Sequence, residues 1–173
     1  KTKKIKKNYD RLSENQALKK GAVCTGRQWM TIDQILKDKG FAIISVKAGE
    51  TLAAAARTLD GKRIGAVVAL DDDGTIIGVL SERDIVRHVA RQGAMALELN
   101  VGDAMTRDVI KVESTTKIDD ALQLMTDRRI RHLPVMTDGR LVGVISIGDL
   151  VKWKIAETEA EAEAMKSYLS AQY

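Results

Sequence analysis

The sequence predicts an α/β (α+β) fold built from one strand–helix–strand–strand–helix unit used twice. Three observations predict it. First, Ile44–Val86 and Ile110–Val151 are self-similar, at an offset of 66 residues before the central turn and 65 after it. Identities fall at Ile44/Ile110, Val46/Val112, Ala55/Ala121, Arg63/Arg129, Ile64/Ile130, Gly74/Gly139, Gly78/Gly143, Val79/Val144, Ser81/Ser146 and Asp84/Asp149. Second, each copy carries an apolar stripe at i, i+3, i+4, i+7: Leu52, Ala55, Ala56, Leu59, and Ile118, Ala121, Leu122, Met125. That is the period of one buried helix face. Third, Asp73-Gly74 and Asp138-Gly139 separate short apolar runs, as a hairpin turn does.

The elements follow in order. Thr31–Lys39 followed by Gly40 reads as a helix with an N-cap and a C-terminal glycine. A strand over Ile43–Val46 opens the first copy, and Val109–Val112 opens the second. Ala66–Leu70 and Leu133–Met136 are short continuous apolar runs, the length of a buried strand. Ile76–Leu80 and Leu141–Ile145 are their hairpin partners, and a helix starts at Ser81 and again at Ser146. Gln92–Asn100 links the halves, and Val101–Met105 is a helical turn. Beyond Lys154 good helix formers predominate, with Val151, Ile155, Ala162, Met165 and Leu169 on one stripe. A half of about 45 residues is short of core on its own, so the two copies are expected to pack sheet against sheet. The expected division is a basic extension over 1–29, flexible or partly helical, repeats over 30–92 and 93–155, and an acidic helix over 156–173.

Composition narrows the function classes. The chain has 173 residues, and 45% are hydrophobic, too many for wholesale disorder. No run approaches the roughly 20 apolar residues of a membrane helix. The lone Cys24 excludes an internal disulfide and a cysteine-based zinc cluster, which fits a reducing compartment such as the cytoplasm. Six aromatic residues are too few for a base-stacking platform. Residues 1–29 hold nine Lys/Arg against Asp10 and Glu14, net +7, so with a whole-chain charge of +4 the remainder sums to −3. The basic character belongs to the extension. It reads as a solvated segment, with nucleic-acid contact or organelle targeting as alternatives.

The residues that could carry chemistry are Gly-x-x-Ser-x-x-Asp, present as Gly78–Asp84 and as Gly143–Asp149. Glycine permits close approach to the strand backbone. Serine puts a hydroxyl beside the N–H groups of a helix start, a place that attracts phosphate. Aspartate three residues on can accept hydrogen bonds from a vicinal diol, as an acidic residue does for ribose. The same spacing is also a capping box, and each copy alone reads more readily that way. The repetition points to a ligand, and the two roles can coexist. Lys62-Arg63, Arg128-Arg129 and Arg131, with Arg83 and Arg87, suit phosphate as a set, although each alone reads as surface charge. His132 reads as a packing residue.

The doubled pattern resembles a pair of CBS domains, the module also called a Bateman domain. The resemblance rests on Ile64–Val68, Gly78–Asp84, Met105-Thr106, Arg131–Val135 and Gly143–Asp149, and it covers residues 30–155. It implies tandem βαββα repeats with pseudo-twofold packing and two clefts for an adenosine-containing ligand: AMP foremost, or ADP, ATP, NAD(H) or S-adenosylmethionine, with no metal required. It implies that Asp84 and Asp149 hold ribose, beside Ser81 and Ser146. Ile44 and Ile110 would meet the adenine. Ile64, Gly65 and Ala66, with Ile130, Arg131 and His132, would line both clefts, and Val79, Arg83, Thr106 and Val144 complete the set. One cleft would combine Asp149 and Ser146 with Ile44, Ile64 and Gly65; the other, Asp84 and Ser81 with Ile110, Arg131 and His132. Gly148 stands where the first copy has Arg83, so the Asp84 cleft is expected to be the more positive and to prefer the phosphate-bearing ligand. A homodimer through the helices starting at Ser81 and Ser146 is implied, signalling to a protein partner not named by the sequence.

Catalysis finds no support in the motifs. There is no Gly-x-x-x-x-Gly-Lys-Ser/Thr loop, His-Glu-x-x-His or Gly-x-Ser-x-Gly. The expected function is therefore a regulatory nucleotide sensor without membrane attachment. Nucleic-acid association through the Lys-rich extension is the alternative.

Overall fold

The computed structural model describes residues 30–40 and 42–170; the basic extension expected over 1–29 lies outside the described residues. The elements run α1 (Ile32–Lys39), β1 (Ser45–Lys47), α2 (Leu52–Lys62), β2 (Ala66–Leu70), β3 (Ile76–Ser81), α3 (Glu82–Gln92), a 3-10 turn (Gly93–Glu98), α4 (Val101–Ala104), β4 (Val112–Glu113), α5 (Ile118–Arg128), β5 (His132–Thr137), β6 (Arg140–Ser146) and α6 (Ile147–Ser170). This is the doubled α/β order expected from the repeat.

There are two three-stranded sheets, ordered β1-β2-β3 and β4-β5-β6. In the first, β1 is parallel to β2, with Ser45 opposite Val68. A parallel pair needs a crossover, and α2 supplies it. β3 returns antiparallel, with Ala66 opposite Ser81 and Val68 opposite Val79. The opening strands are shorter than their apolar runs. Beyond β1 the pairing reaches only to the Ile44 carbonyl, which accepts from Val68 N–H at 3.4 Å. Ahead of β4, Val109 N–H closes a turn onto Arg107 O at 3.0 Å instead of joining a ladder. The last repeat helix and the tail, expected as separate segments, are one helix of 24 residues, with no proline to interrupt it.

Two compact units emerge, and each draws on both sequence copies. One gathers the described residues up to 40, Val112–Leu133 and 144–170; the other holds Ala42–Lys111 and Pro134–Gly143. In the first, Ile32, Ile35, Leu36, Ile118, Ala121, Met125, Leu133, Ile145 and Leu150 are buried. In the second, Val46, Leu52, Ala55, Leu59, Val67, Ala69, Leu80 and Ile85 form the core, with Ile44 and Ile64 packed against it. Burial of each large apolar side chain is worth about 1.5–3 kcal/mol, so these stripes hold the elements in place.

The units share a hydrogen-bond scheme that explains their composition. In the first, Ile32 N–H donates to Thr116 O (3.0 Å), Asp33 N–H to Ser114 O (2.8 Å) and Ile118 N–H to Met30 O (3.1 Å). In the second, Val101 N–H donates to Glu50 O, Gly102 N–H to Ala48 O and Leu52 N–H to Leu99 O, each at 2.8 Å. The segment leading into one sequence copy thus docks on the helix start of the other. Both α2 and α5 end on a left-handed arginine, Arg63 (φ 52°) and Arg129 (φ 54°). L-residues other than glycine seldom adopt that conformation.

Candidate functional site

The first strand–helix junction lies in the 42–111 segment. Ser81 is the last residue of β3 and the N-cap of α3. Its backbone N–H donates to Asp84 Oδ2 at 3.0 Å and its hydroxyl donates to the same oxygen at 2.6 Å. The next N–H, that of Glu82, donates to Gly65 O at 3.1 Å. Arg87 Nη1 approaches Asp84 Oδ1 at 3.5 Å from one turn further on. Thr106 pairs with Val79 by two backbone bonds of 3.0 and 2.9 Å, so Met105 and Thr106 lie along β3.

The second junction repeats the arrangement. Ser146 N–H and its hydroxyl donate to Asp149 Oδ2 at 2.7 and 2.8 Å, and Asp149 N–H returns a bond to Ser146 Oγ at 3.2 Å. Ile147 N–H donates to Arg131 O at 2.9 Å, the counterpart of Glu82 on Gly65. A new participant appears: Lys39 Nζ, from the last turn of α1, donates to Asp149 Oδ2 at 2.5 Å and to Val144 O at 3.4 Å. Partial burial raises the Asp149 pKa. The Lys39 hydrogen bond, the Ser146 backbone and hydroxyl bonds, and the Lys39 charge together outweigh burial and hold the carboxyl below its ordinary range.

Both Ser-x-x-Asp copies are therefore capping boxes, satisfying donors that would otherwise be orphaned at the helix start. The cap and lysine bonds all fall on Oδ2. They leave Oδ1 out, and a carboxylate has about four acceptor positions in all. Capping and sugar binding can coexist on one side chain, but through one oxygen each.

One expectation needs correction. The space in front of Gly78, read as room for a ligand, is filled by the chain itself. A Cβ there would lie 2.7 Å from Met105 Cγ and 3.1 Å from Thr106 O. Gly78 is small because Met105 packs on it. The basic pairs also have local duties. Lys62 and Arg128 sit in the last turns of α2 and α5, where a cation suits the helix dipole, and Arg63 and Arg129 are the C-cap residues.

The structure brings Ser81 and Asp84 together, Val79 and Thr106 together, and Gly65 onto the start of α3. In the other unit it brings Ser146 and Asp149 together, with the Arg131 carbonyl at the start of α6. Arg83 is exposed on α3, Ala66 is buried in β2, and Ile110, Ile130, His132 and Val144 are partly buried. Lys39 and Met105 carry roles that sequence reasoning missed. Lys39 lies 110 residues from its partner; Met105 belongs to the Met105-Thr106 pair, but no sequence pattern ties it to Gly78. An open cavity of about 480 Å³, lined by Lys47, Glu50, Asp71, Asp72 and neighbours, holds none of the expected site residues. Among the described residues no cluster of three His, Cys, Asp or Glu could hold a metal, and no helix is long and apolar enough to cross a membrane.

Comparison with known proteins bears on the family. The family model for the CBS domain matches residues 40–91 and 101–156. The mitochondrial CBS domain-containing protein CBSX3 of Arabidopsis thaliana is 32% identical over 157 residues, covering 86% of this chain and 76% of that protein. The crystal structure of a CBS-domain-containing protein from Agrobacterium tumefaciens is 41% identical, with a TM-score of 0.71, covering 72% of this chain and 99% of that one. A more distant CBS domain pair, 21% identical with a TM-score of 0.67 over 75% of this chain and 99% of its own, was solved with 5′-methylthioadenosine and S-adenosyl-L-methionine.

Proposed function

The chain belongs to the CBS-domain family, and on that premise we propose that it is a regulatory module that binds an adenosine-containing ligand and signals to a protein partner as a pair of copies. The observation that carries this reading is the duplicated junction: each Ser–Asp pair caps a helix with Oδ2 while Oδ1 remains outside the cap. A ribose hydroxyl donating to that oxygen makes a charge-assisted bond, worth about 1.5–3 kcal/mol. The adenosine ligands of the distant CBS pair support the same class. AMP is the first candidate, ahead of ADP, ATP, NAD(H) and S-adenosylmethionine. The remaining expected contacts (Ile44, Ile64, Gly65 and Ala66; Ile110, Ile130, Arg131 and His132; Val79, Arg83, Thr106 and Val144) belong to this proposal.

Signalling requires that the ligand bind two states of the module unequally. Apolar side chains left exposed on the helices that follow the junctions, Val86 at 66% on α3 and Ile155 at 53% on α6, support a paired assembly. The test is calorimetric titration of AMP, ATP, NADH and S-adenosylmethionine into the wild-type chain and an Asp84→Asn, Asp149→Asn variant. Asparagine keeps a cap acceptor and removes the charge. At least tenfold weaker binding by a variant that still unfolds cooperatively supports the reading. No heat with any of the four ligands, or undiminished binding by the variant, rejects it.

A further inference from the structure

The distal half of α6 carries a pattern that the ligand reading leaves unused. From Thr158 to Ser170 every residue is exposed, over roughly 20 Å of helix. Yet Val151, Ile155, Thr158, Ala162, Met165 and Leu169 recur at alternating spacings of four and three. That is a heptad seam, with Ile155, Ala162 and Leu169 at a, and Val151, Thr158 and Met165 at d. Met165 and Leu169 are 69% and 54% exposed. The Thr158 hydroxyl already donates to Lys154 O at 2.9 Å, so the side chain can enter an apolar seam without an unsatisfied donor.

We propose that this stripe pairs with the same stripe of a second copy, as a short parallel two-stranded coiled coil. The flanking charges select both partner and direction. In a parallel pair each g position faces the e position of the next heptad on the other chain. Here that sets Glu161 of one copy against Lys166 of the other, twice by symmetry. An antiparallel pair that stacks all six seam residues sets Glu159 against Glu159 and Glu161 against Glu161, which repel. Among the described residues of one chain, Lys166 meets Glu163 in a 3.8 Å surface contact, which is weak enough to exchange. Lys154 is committed elsewhere, to Asp119 at 2.8 Å and Glu157 at 2.9 Å, so the Glu161–Lys166 pair sets the direction. Alanine at the central a position makes the seam shallow. Its strength comes from a helix already started by the folded body, which removes the nucleation cost.

The inference rests on the paired assembly proposed above, and one experiment separates the two. Single-cysteine variants Ile155→Cys and Met165→Cys, each in a Cys24→Ser background, are oxidised mildly and sized by light scattering. Efficient self-cross-linking of both variants is the expected result. Cross-linking only when the two are mixed indicates antiparallel pairing and overturns the proposal. A single-chain mass for the reduced protein overturns the assembly as well, whereas a two-chain mass without cross-links overturns only the helix pairing. Lys166→Glu should weaken association roughly tenfold, and adding Glu161→Lys should restore it.

Discussion

The two strand–helix junctions share a sequence pattern and a backbone scheme but differ in what stands beside the carboxylate. At the first, the neighbour is Arg87 of the same helix, 3.5 Å from the oxygen outside the cap. At the second, the neighbour is Lys39, delivered by a helix from outside the repeat and bonded at 2.5 Å to the capping oxygen itself. Duplication preserved the cap because a cap needs only residues three apart. The cations were free to diverge because their contacts are not part of the turn. The sequence put the extra positive charge at Asp84, through Arg83 against Gly148; Lys39 offsets that difference. Asp149 is therefore the more firmly held carboxylate, with an ammonium bonded to its capping oxygen.

The comparison can be broken most forcefully at Gly78. Gly78→Ala should cost about 1–3 kcal/mol by overpacking against Met105. Urea unfolding of the single variants and of Gly78→Ala combined with Met105→Ala should show a double cost smaller than the sum. Simple additivity would mean that Met105 is not what keeps this position small.

A smaller effect sharpens the contrast directly. Asp149→Ala should cost about 1–2 kcal/mol and Asp84→Ala about 1 kcal/mol, because both lose a cap and only the first also loses the Lys39 bridge. Introducing Lys39→Met first should shrink the gap between the two. An equal loss at both junctions in the wild-type background would show that Lys39 contributes nothing measurable, as many surface pairs do.

The smallest effect is a pH dependence. The Asp149 carboxyl is held below its unfolded value, so its contribution is fully present above the ordinary aspartate pKa of about 3.9 and is lost as pH falls through the lowered native value. Unfolding measured from pH 5 downwards should therefore fall more steeply for the wild type than for Asp149→Asn. Parallel profiles would contradict the ion pair. The steeper decline should also flatten in Lys39→Met.

Local chemistry was legible in the sequence. The hairpin turns, the helix stripes and both Ser-x-x-Asp caps involve residues within one turn or one element, where spacing dictates geometry. β2 follows its apolar run to the residue, Ala66–Leu70. The edge strands β1 and β4 were read less well, because their length depends on how far a neighbour offers hydrogen bonds.

By itself, then, the sequence determined a duplicated α/β scaffold, the Ser-x-x-Asp spacing of both junctions and an apolar stripe along the tail, all written in short-range periodicities. Only the tertiary structure decided that Met30–Asp33 docks at 114–118 while Leu99–Gly102 docks at 48–52, and hence that Lys39 reaches Asp149. The physical reason is that those docking contacts are backbone N–H to carbonyl bonds. Nearly every residue can make them, so they leave no mark in the side chains from which a sequence is read.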